Sequence, residues 1–158
     1  MCCMSAVNWL DADEQRTWRS YLVVNSMLEE RLDRDLQQRN GLSLVEYGIL
    51  VHLSEADGQR MRMRSLADTV IVSKSRLSHQ IARLERDGYV RRETCAEDRR
   101  GAWAVLTPSG ESKLREAAPW HVAAVRANLF GVLSDEQAKQ LGEIMGVLEQ
   151  RLRETSGA

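Results

Sequence analysis

Two stretches of this chain carry residue types suited to one kind of chemistry, the reading of a polyanion. Residues 73–83 read SKSRLSHQIAR, and residues 97–101 read EDRRG. In the first, Ser75, Ser78 and His79 are short hydrogen-bonding groups, and Lys74 and Arg76 are cations flanking them. Short side chains let a backbone approach base edges, while lysine and arginine pair with phosphate or guanine. In the second, Arg99 and Arg100 stand side by side at a loop, with Asp98 two residues before Arg100. A carboxylate at that spacing holds a guanidinium by a paired contact and limits its rotamers.

These groups need a scaffold. Leu77, Ile81 and Leu84 recur at i, i+4 and i+7, which predicts a helix from Ser73 to about Asp87 with one buried face. Lys74, Ser75, Ser78, His79 and Arg83 then fall on the remaining surface. Ser73 caps this helix, and Arg76 occupies the third position, where an acid would repel a phosphate at the helix N-terminus. A short helix opening at Ser65-Leu66-Ala67-Asp68 precedes it across a brief break at Ile71-Val72. Two helices joined in this way form a helix-turn-helix. Gly88 closes the second helix. Tyr89 to Thr94 and Ala102 to Leu106 read as strands of a hairpin with EDRRG at its tip. Such a wing delivers arginine to a narrow, negative minor groove.

Around this centre the pattern is helical. A first helix is predicted over 12–39, with Trp18, Leu22, Met27, Leu28, Leu32 and Leu36 on one stripe and Asn40-Gly41 as its stop. Ser43-Leu44-Val45-Glu46 is a capping box that opens a second helix. Ala56-Asp57-Gly58 ends it. Thr107-Pro108 starts a fifth helix running to about Phe130, which Pro119 is expected to kink or break. Ser134 and Gln137 cap a sixth helix, whose Leu141, Met145, Leu148 and Leu152 form a narrow seam suited to helix pairing. The fold class is mainly α with a small β-hairpin wing (α+β).

Charge follows the same division. The 158 residues carry a net charge of −1. Between Gln59 and Gly101, however, eleven basic residues face six acidic ones, a net of +5 that leaves −6 for the rest. A basic centre between acidic ends points to an anionic partner for the centre. The apolar runs are far too short to span a bilayer, and MCCMSAVNWLDADEQ lacks the features of a signal peptide, so the expected location is the cytoplasm. Cys2, Cys3 and Cys95 are odd in number and lack metal-ligand spacing, so they are read as reduced thiols, two of which disappear if Met4 is the start. No nucleophile with a base, metal cluster or phosphate-binding glycine loop argues for an enzyme, a cofactor or a metal.

SRLSHQIARLE over 75–85, DGYVRR over 87–92, and Asp98-x-Arg100 followed by Leu106-Thr107 resemble the MarR family of bacterial winged-helix repressors. The order of elements agrees from about Trp18 to Leu152. The resemblance implies a single domain over 1–158, with a DNA-binding lobe over 43–106 and dimerisation helices over 12–39 and 107–154. It implies that a homodimer reads an inverted repeat of double-stranded DNA. Ser73, Lys74, Ser75, Arg76, Ser78, His79 and Arg83 are the expected contacts from the recognition helix. Arg100 resembles the family's minor-groove arginine, Asp98 its brace, and Arg99 a further contact. His79 stands where many relatives carry arginine, so the resemblance does not carry over a base preference at that position. Family members commonly sense a small aromatic effector in a crevice between the dimer region and the DNA-binding lobe. Trp18, Tyr21, Tyr47, His52, Trp120 and His121 are the candidates to line it; the plainer reading is core or dimer packing. Cys95 has Arg91, Arg92, Arg99 and Arg100 near it, which favour a reactive thiolate, and Glu93, Glu97 and Asp98, which oppose it. A thiol-based redox regulator on the same fold and a winged-helix protein-interaction module are the alternatives.

Overall fold

The computed structural model describes residues 7–94 and 101–156. Cys95, Asp98, Arg99 and Arg100 lie outside the described residues, as do Cys2, Cys3 and Met4.

Local caps set most element boundaries. Helix α1 runs Ala12–Asn40, capped by Asp11 with Glu14 in reciprocal contact and closed by Gly41 in the left-handed region at φ 67°. Helix α2 (Leu44–Glu55) begins at the Ser43–Glu46 capping box. Its residues Tyr47, Ile49, Leu50 and Leu53 are buried. They point to several sides of the helix because α2 runs through the middle of the lobe, packed by α1, by α3 (Met63–Val70), α4 (Lys74–Arg86) and α5 (Pro108–Asn128), and by the sheet. A helix apolar all round belongs in such a position.

The sheet has three strands rather than the hairpin alone. Gly58 turns the chain at φ 63°, and β1 (Arg60–Arg62) then pairs antiparallel with β3 (Ala102–Leu106), which pairs on its other side with β2 (Val90–Thr94). The spatial order is β1-β3-β2. Alternation sends Ala104 and Leu106 inward to the core. On the outward face, Arg60 and Arg62 stack over the Trp103 ring at 4.8 and 5.2 Å.

Thr107 docks α5 on the base of the wing. Its hydroxyl donates toward the carbonyls of Gly88 at 2.7 Å and Tyr89 at 3.0 Å, and the same oxygen accepts the Gly110 N–H at 3.0 Å. Of the kink or break expected at Pro119, the break does not occur: α5 continues through it to Asn128. Pro119 is on the exposed side, as is Arg115 one turn earlier, so the carbonyl deprived of its partner is at the solvent side of the helix. A short 3-10 turn at Phe130–Val132 leads to α6 (Asp135–Ser156). Ser134 and Gln137 make both capping-box bonds, at 2.9 and 3.2 Å. None of the described helices is long and apolar enough to cross a membrane.

Apolar side chains of α1 and α6 stand uncovered by the other described residues. Tyr21, Leu22, Val23, Val24 and Met27 of α1 are all exposed, around most of the helix circumference. Ile144, Met145, Val147, Leu148 and Leu152 of α6 are exposed as well.

Candidate nucleic-acid interface

Helix α4 is fixed by what it buries. Leu77, Ile81 and Leu84 are essentially fully buried in the core made by α2, α3 and the sheet. Each such side chain contributes roughly 1.5–3 kcal/mol on leaving water. That anchoring leaves Lys74, Ser75, Arg76, Ser78 and His79 exposed on the other side. Ser73 Oγ accepts the Arg76 N–H at 3.2 Å and lies 3.2 Å from Ser75 Oγ. The first turn has no acid. Its backbone N–H groups and the positive end of the helix dipole therefore face an anion without opposition.

The turn before α4 is unusual. Ile71 ends α3 in the left-handed region (φ 56°, ψ 48°) with its N–H donated to the Ala67 carbonyl, and its side chain is 82% exposed. A β-branched residue is strained there. The strained backbone supplies the tight corner that helix-turn-helix geometry requires.

Two arginines of the basic centre turn inward to the protein. Arg92, on β2, donates its backbone N–H to Glu85 Oε1 at 3.0 Å and its guanidinium to the Ser78 carbonyl at 3.0 Å. These bonds tie the wing to the recognition helix. Arg83 reaches the other way. Its Nη2 donates to the Gly41 carbonyl at 3.0 Å, and its Nε lies 3.2 Å from Oε1 of Glu46. The sequence grouped Arg83 with the DNA contacts because, with Lys74, Ser75, Ser78 and His79, it falls on the surface left by Leu77, Ile81 and Leu84. In the structure its guanidinium has these protein partners. Arg91 pairs with Glu93 on its own strand.

A profile of the MarR family matches residues 40–101. Over 143 residues the chain is 31% identical to the HTH-type transcriptional repressor YetL of Bacillus subtilis, a match spanning 90% of this chain and 84% of that protein. The chain belongs to the MarR family. Among solved structures it is similar to Sco3205, a MarR family transcriptional regulator of Streptomyces coelicolor solved in complex with DNA. The identity is 49%, the TM-score 0.87, and the match covers 92% of each chain. AbsC, a MarR family regulator of the same organism, is 46% identical at a TM-score of 0.84, over 93% of this chain and 99% of that one. The chain is thus a transcriptional regulator of the winged-helix type, and not an enzyme.

The junction of α1, α2 and α5 holds a narrow crevice lined by Leu32, Asp35, Leu36, Arg39, Asn40, Trp120, His121 and Ala124. Tyr47 borders it, its ring 4.4 Å from that of His121. Arg39 stacks over Trp120 at 4.9 Å. Asn40 Oδ1 and His121 Nδ1 are buried without a hydrogen-bond partner among the described residues. Burial pushes the Tyr47 hydroxyl above its ordinary pKa and the His121 imidazole below its own. Of the six candidates for an effector crevice, the fold brings together Tyr47, Trp120 and His121. Trp18 and Tyr21 stack on each other at 5.8 Å on the exposed part of α1, and His52, further along α2, does not line the crevice. Asn40 and Arg39 were not picked out from the sequence; the end of a helix one turn from Leu36 was the available signal.

Proposed function

We propose that this regulator is a repressor that binds an inverted-repeat operator as a homodimer and is released by a small aromatic effector. The observation that carries the DNA-reading part is α4. Its apolar side is spent on the core, which leaves Ser75, Arg76, Ser78 and His79 exposed beside an acid-free helix N-terminus. Ser73 and Lys74 begin the same surface. By sequence, Asp98, Arg99 and Arg100 form the tip of the wing, with Asp98 bracing Arg100 for the minor groove.

The homodimer is supported by the uncovered apolar residues of α1 and α6. A groove of about 510 Å3 lies between the end of α5 and the start of α6, lined by Val122, Val125, Phe130, Leu133 and Ala138 together with the charged Arg126 and Asp135. Burial of the α1 and α6 residues in an intertwined pair places two recognition helices for half-sites about one helical turn apart, roughly 34 Å. An effector role for the crevice is supported by its aromatic walls and its two unpartnered polar atoms. It is closed to a water-sized sphere in the free chain, so an effector enters by parting α2 from α1 and α5 and so moving the lobe. That motion couples the crevice to half-site spacing.

Selection of bound duplexes from a random-sequence pool tests this reading. It should return an inverted repeat with half-sites centred about 10 base pairs apart. Arg100→Ala should lower affinity for the selected duplex at least about tenfold, as loss of a minor-groove arginine with its phosphate neighbours implies. Recovery of unrelated sequences, or an Arg100→Ala protein that binds as the wild type does, would refute it.

A further inference from the structure

We infer that Arg83 is a positioning residue, acting through Glu46 to set the angle of the recognition helix against the dimer-forming helix α1. The inference rests on the DNA-reading role of α4.

Glu46 is 1% exposed, so it has no access to DNA. Its carboxylate is divided between two tasks. Oε2 accepts the Ser43 N–H at 2.8 Å and caps α2. Oε1 faces Arg83 Nε at 3.2 Å, in an ion pair without the alignment of a full hydrogen bond. The Arg83 Nη2 bond to the Gly41 carbonyl reaches the residue that closes α1. The same turn is tied to α1 a second time, because the Leu44 N–H donates to Asp33 Oδ1 at 2.7 Å. A continuous path of charge-assisted contacts therefore runs from α4 through Arg83 to the α1–α2 turn and into α1. The guanidinium suits this use because its planar fork serves two acceptors at once. An ammonium offers one point of charge.

This path has a consequence for specificity. Operator spacing is read by the distance and angle between two recognition helices, and α1 is the helix that extends into the dimer region. A rigid strut from α4 to the end of α1 converts the dimer's geometry into a fixed α4 orientation. Loosening it lets α4 pivot about its buried Leu77–Ile81–Leu84 face, which blurs spacing before it abolishes binding.

The test uses the full chain and the duplex that wild type selects from a random pool, with derivatives whose half-sites are moved together or apart by one base pair. Four variants are compared: Arg83→Met, Arg83→Lys, Glu46→Gln and the Arg83→Met, Glu46→Gln double variant. Glu46→Gln keeps an oxygen to cap Ser43 but removes the charge. Each single variant is expected to lose roughly tenfold in affinity, and the double variant no more than the larger single loss, because coupled residues are not additive. The preference for the selected spacing should fall toward unity in all of them, a change that a merely less stable protein would not show. The slope of log affinity against log salt should stay as in wild type. A direct phosphate contact predicts otherwise: Arg83→Met would reduce the slope by about one, Arg83→Lys would retain most affinity, and Glu46→Gln would bind normally. That pattern overturns the inference while leaving the DNA-reading role intact, as does retained spacing preference in every variant. A wild type that selects no duplex overturns both. If Arg83→Met fails to fold, Arg83→Lys and Glu46→Gln decide the matter alone.

Discussion

Replacing Gly110 by alanine should destabilise the protein, although Gly110 lies in a helix where alanine is ordinarily the better residue. A Cβ built at this position stands 2.1 Å from the Tyr89 carbonyl oxygen, 2.9 Å from its carbon and 2.8 Å from Leu106 Cδ1. An unstrained carbon–oxygen approach is about 3.3 Å, so the first turn of α5 must retreat by roughly 1 Å from a backbone group that no rotamer change can move. That retreat pulls Thr107 from the carbonyls of Gly88 and Tyr89, which its hydroxyl reaches at 2.7 and 3.0 Å. Overpacking of this kind costs about 1–3 kcal/mol, and the weakened Thr107 contacts about 1 kcal/mol more. Helix propensity returns at most about 1 kcal/mol. The net loss is about 1–3 kcal/mol, or a Tm lower by roughly 2–12 °C in a chain of this size. The control is Gly48→Ala inside α2, where the added Cβ meets nothing within 4 Å. There the propensity gain stands unopposed, and Tm should rise by a few degrees. Thermal melts at one fixed protein concentration measure both, since assembly also shifts Tm. A Gly110→Ala protein that melts at or above wild type would show that α5 does not dock on the wing as described.

Three further outcomes follow from single residues. The fold favours neutral His121, so the unfolded chain takes up a proton first as pH falls through about 6.5; stability should be full above that pH and decline below it, and His121→Gln should flatten the decline in a series of melts. Leu148→Glu places a charge on the uncovered face of α6 and should yield a folded monomer by sedimentation, because α6 contributes nothing to the core of the lobe; a dimer of unchanged affinity would contradict the assigned surface. Ile71→Asn relieves a β-branched side chain of a left-handed backbone, and should raise stability by about 1 kcal/mol in urea unfolding, since asparagine tolerates that conformation.

What could be read from the sequence was what depends on near neighbours. The caps at Ser43, Ser73, Thr107 and Ser134 are three-residue devices, and each starts its helix where the pattern placed it. The buried face of α4 was equally legible, because Leu77, Ile81 and Leu84 repeat at the helical period. Strand β1 was not, since three residues, Arg60-Met61-Arg62, hold their extended form only through pairing with β3, more than forty residues away. Arg83 illustrates a different limit. Helical position fixes where an arginine's Cβ points, but its long stem lets the head choose between solvent and a partner to the side. Glu46 was recognised as half of a capping box, and nothing in the local sequence reveals that its second oxygen has a use. The place of Asn40 in the crevice escaped for the same reason: Asn40, Tyr47 and His121 come from three helices.

Counting the cations that the start of α4 and the wing tip present to DNA gives a measurable number. Of the basic centre, Arg83, Arg91 and Arg92 are paired with Glu46, Glu93 and Glu85, and Arg60 and Arg62 lie over Trp103. At the exposed start of α4, Lys74 and Arg76 have no ion-pair partner among the described residues. Arg99 and Arg100 join them if the wing tip reaches the groove. Four cations per protomer make about eight per dimer, and log affinity should then fall with log salt at a slope near −7. Had every basic residue between Gln59 and Gly101 met a phosphate, the slope would be near −20. Fluorescence anisotropy of the selected duplex between 50 and 300 mM salt (roughly the range over which such slopes are linear) separates the two. A slope much steeper than about −12 would mean that the internal pairs of Arg83 and Arg92 open when DNA binds, and the rigid placement of α4 would have to be abandoned.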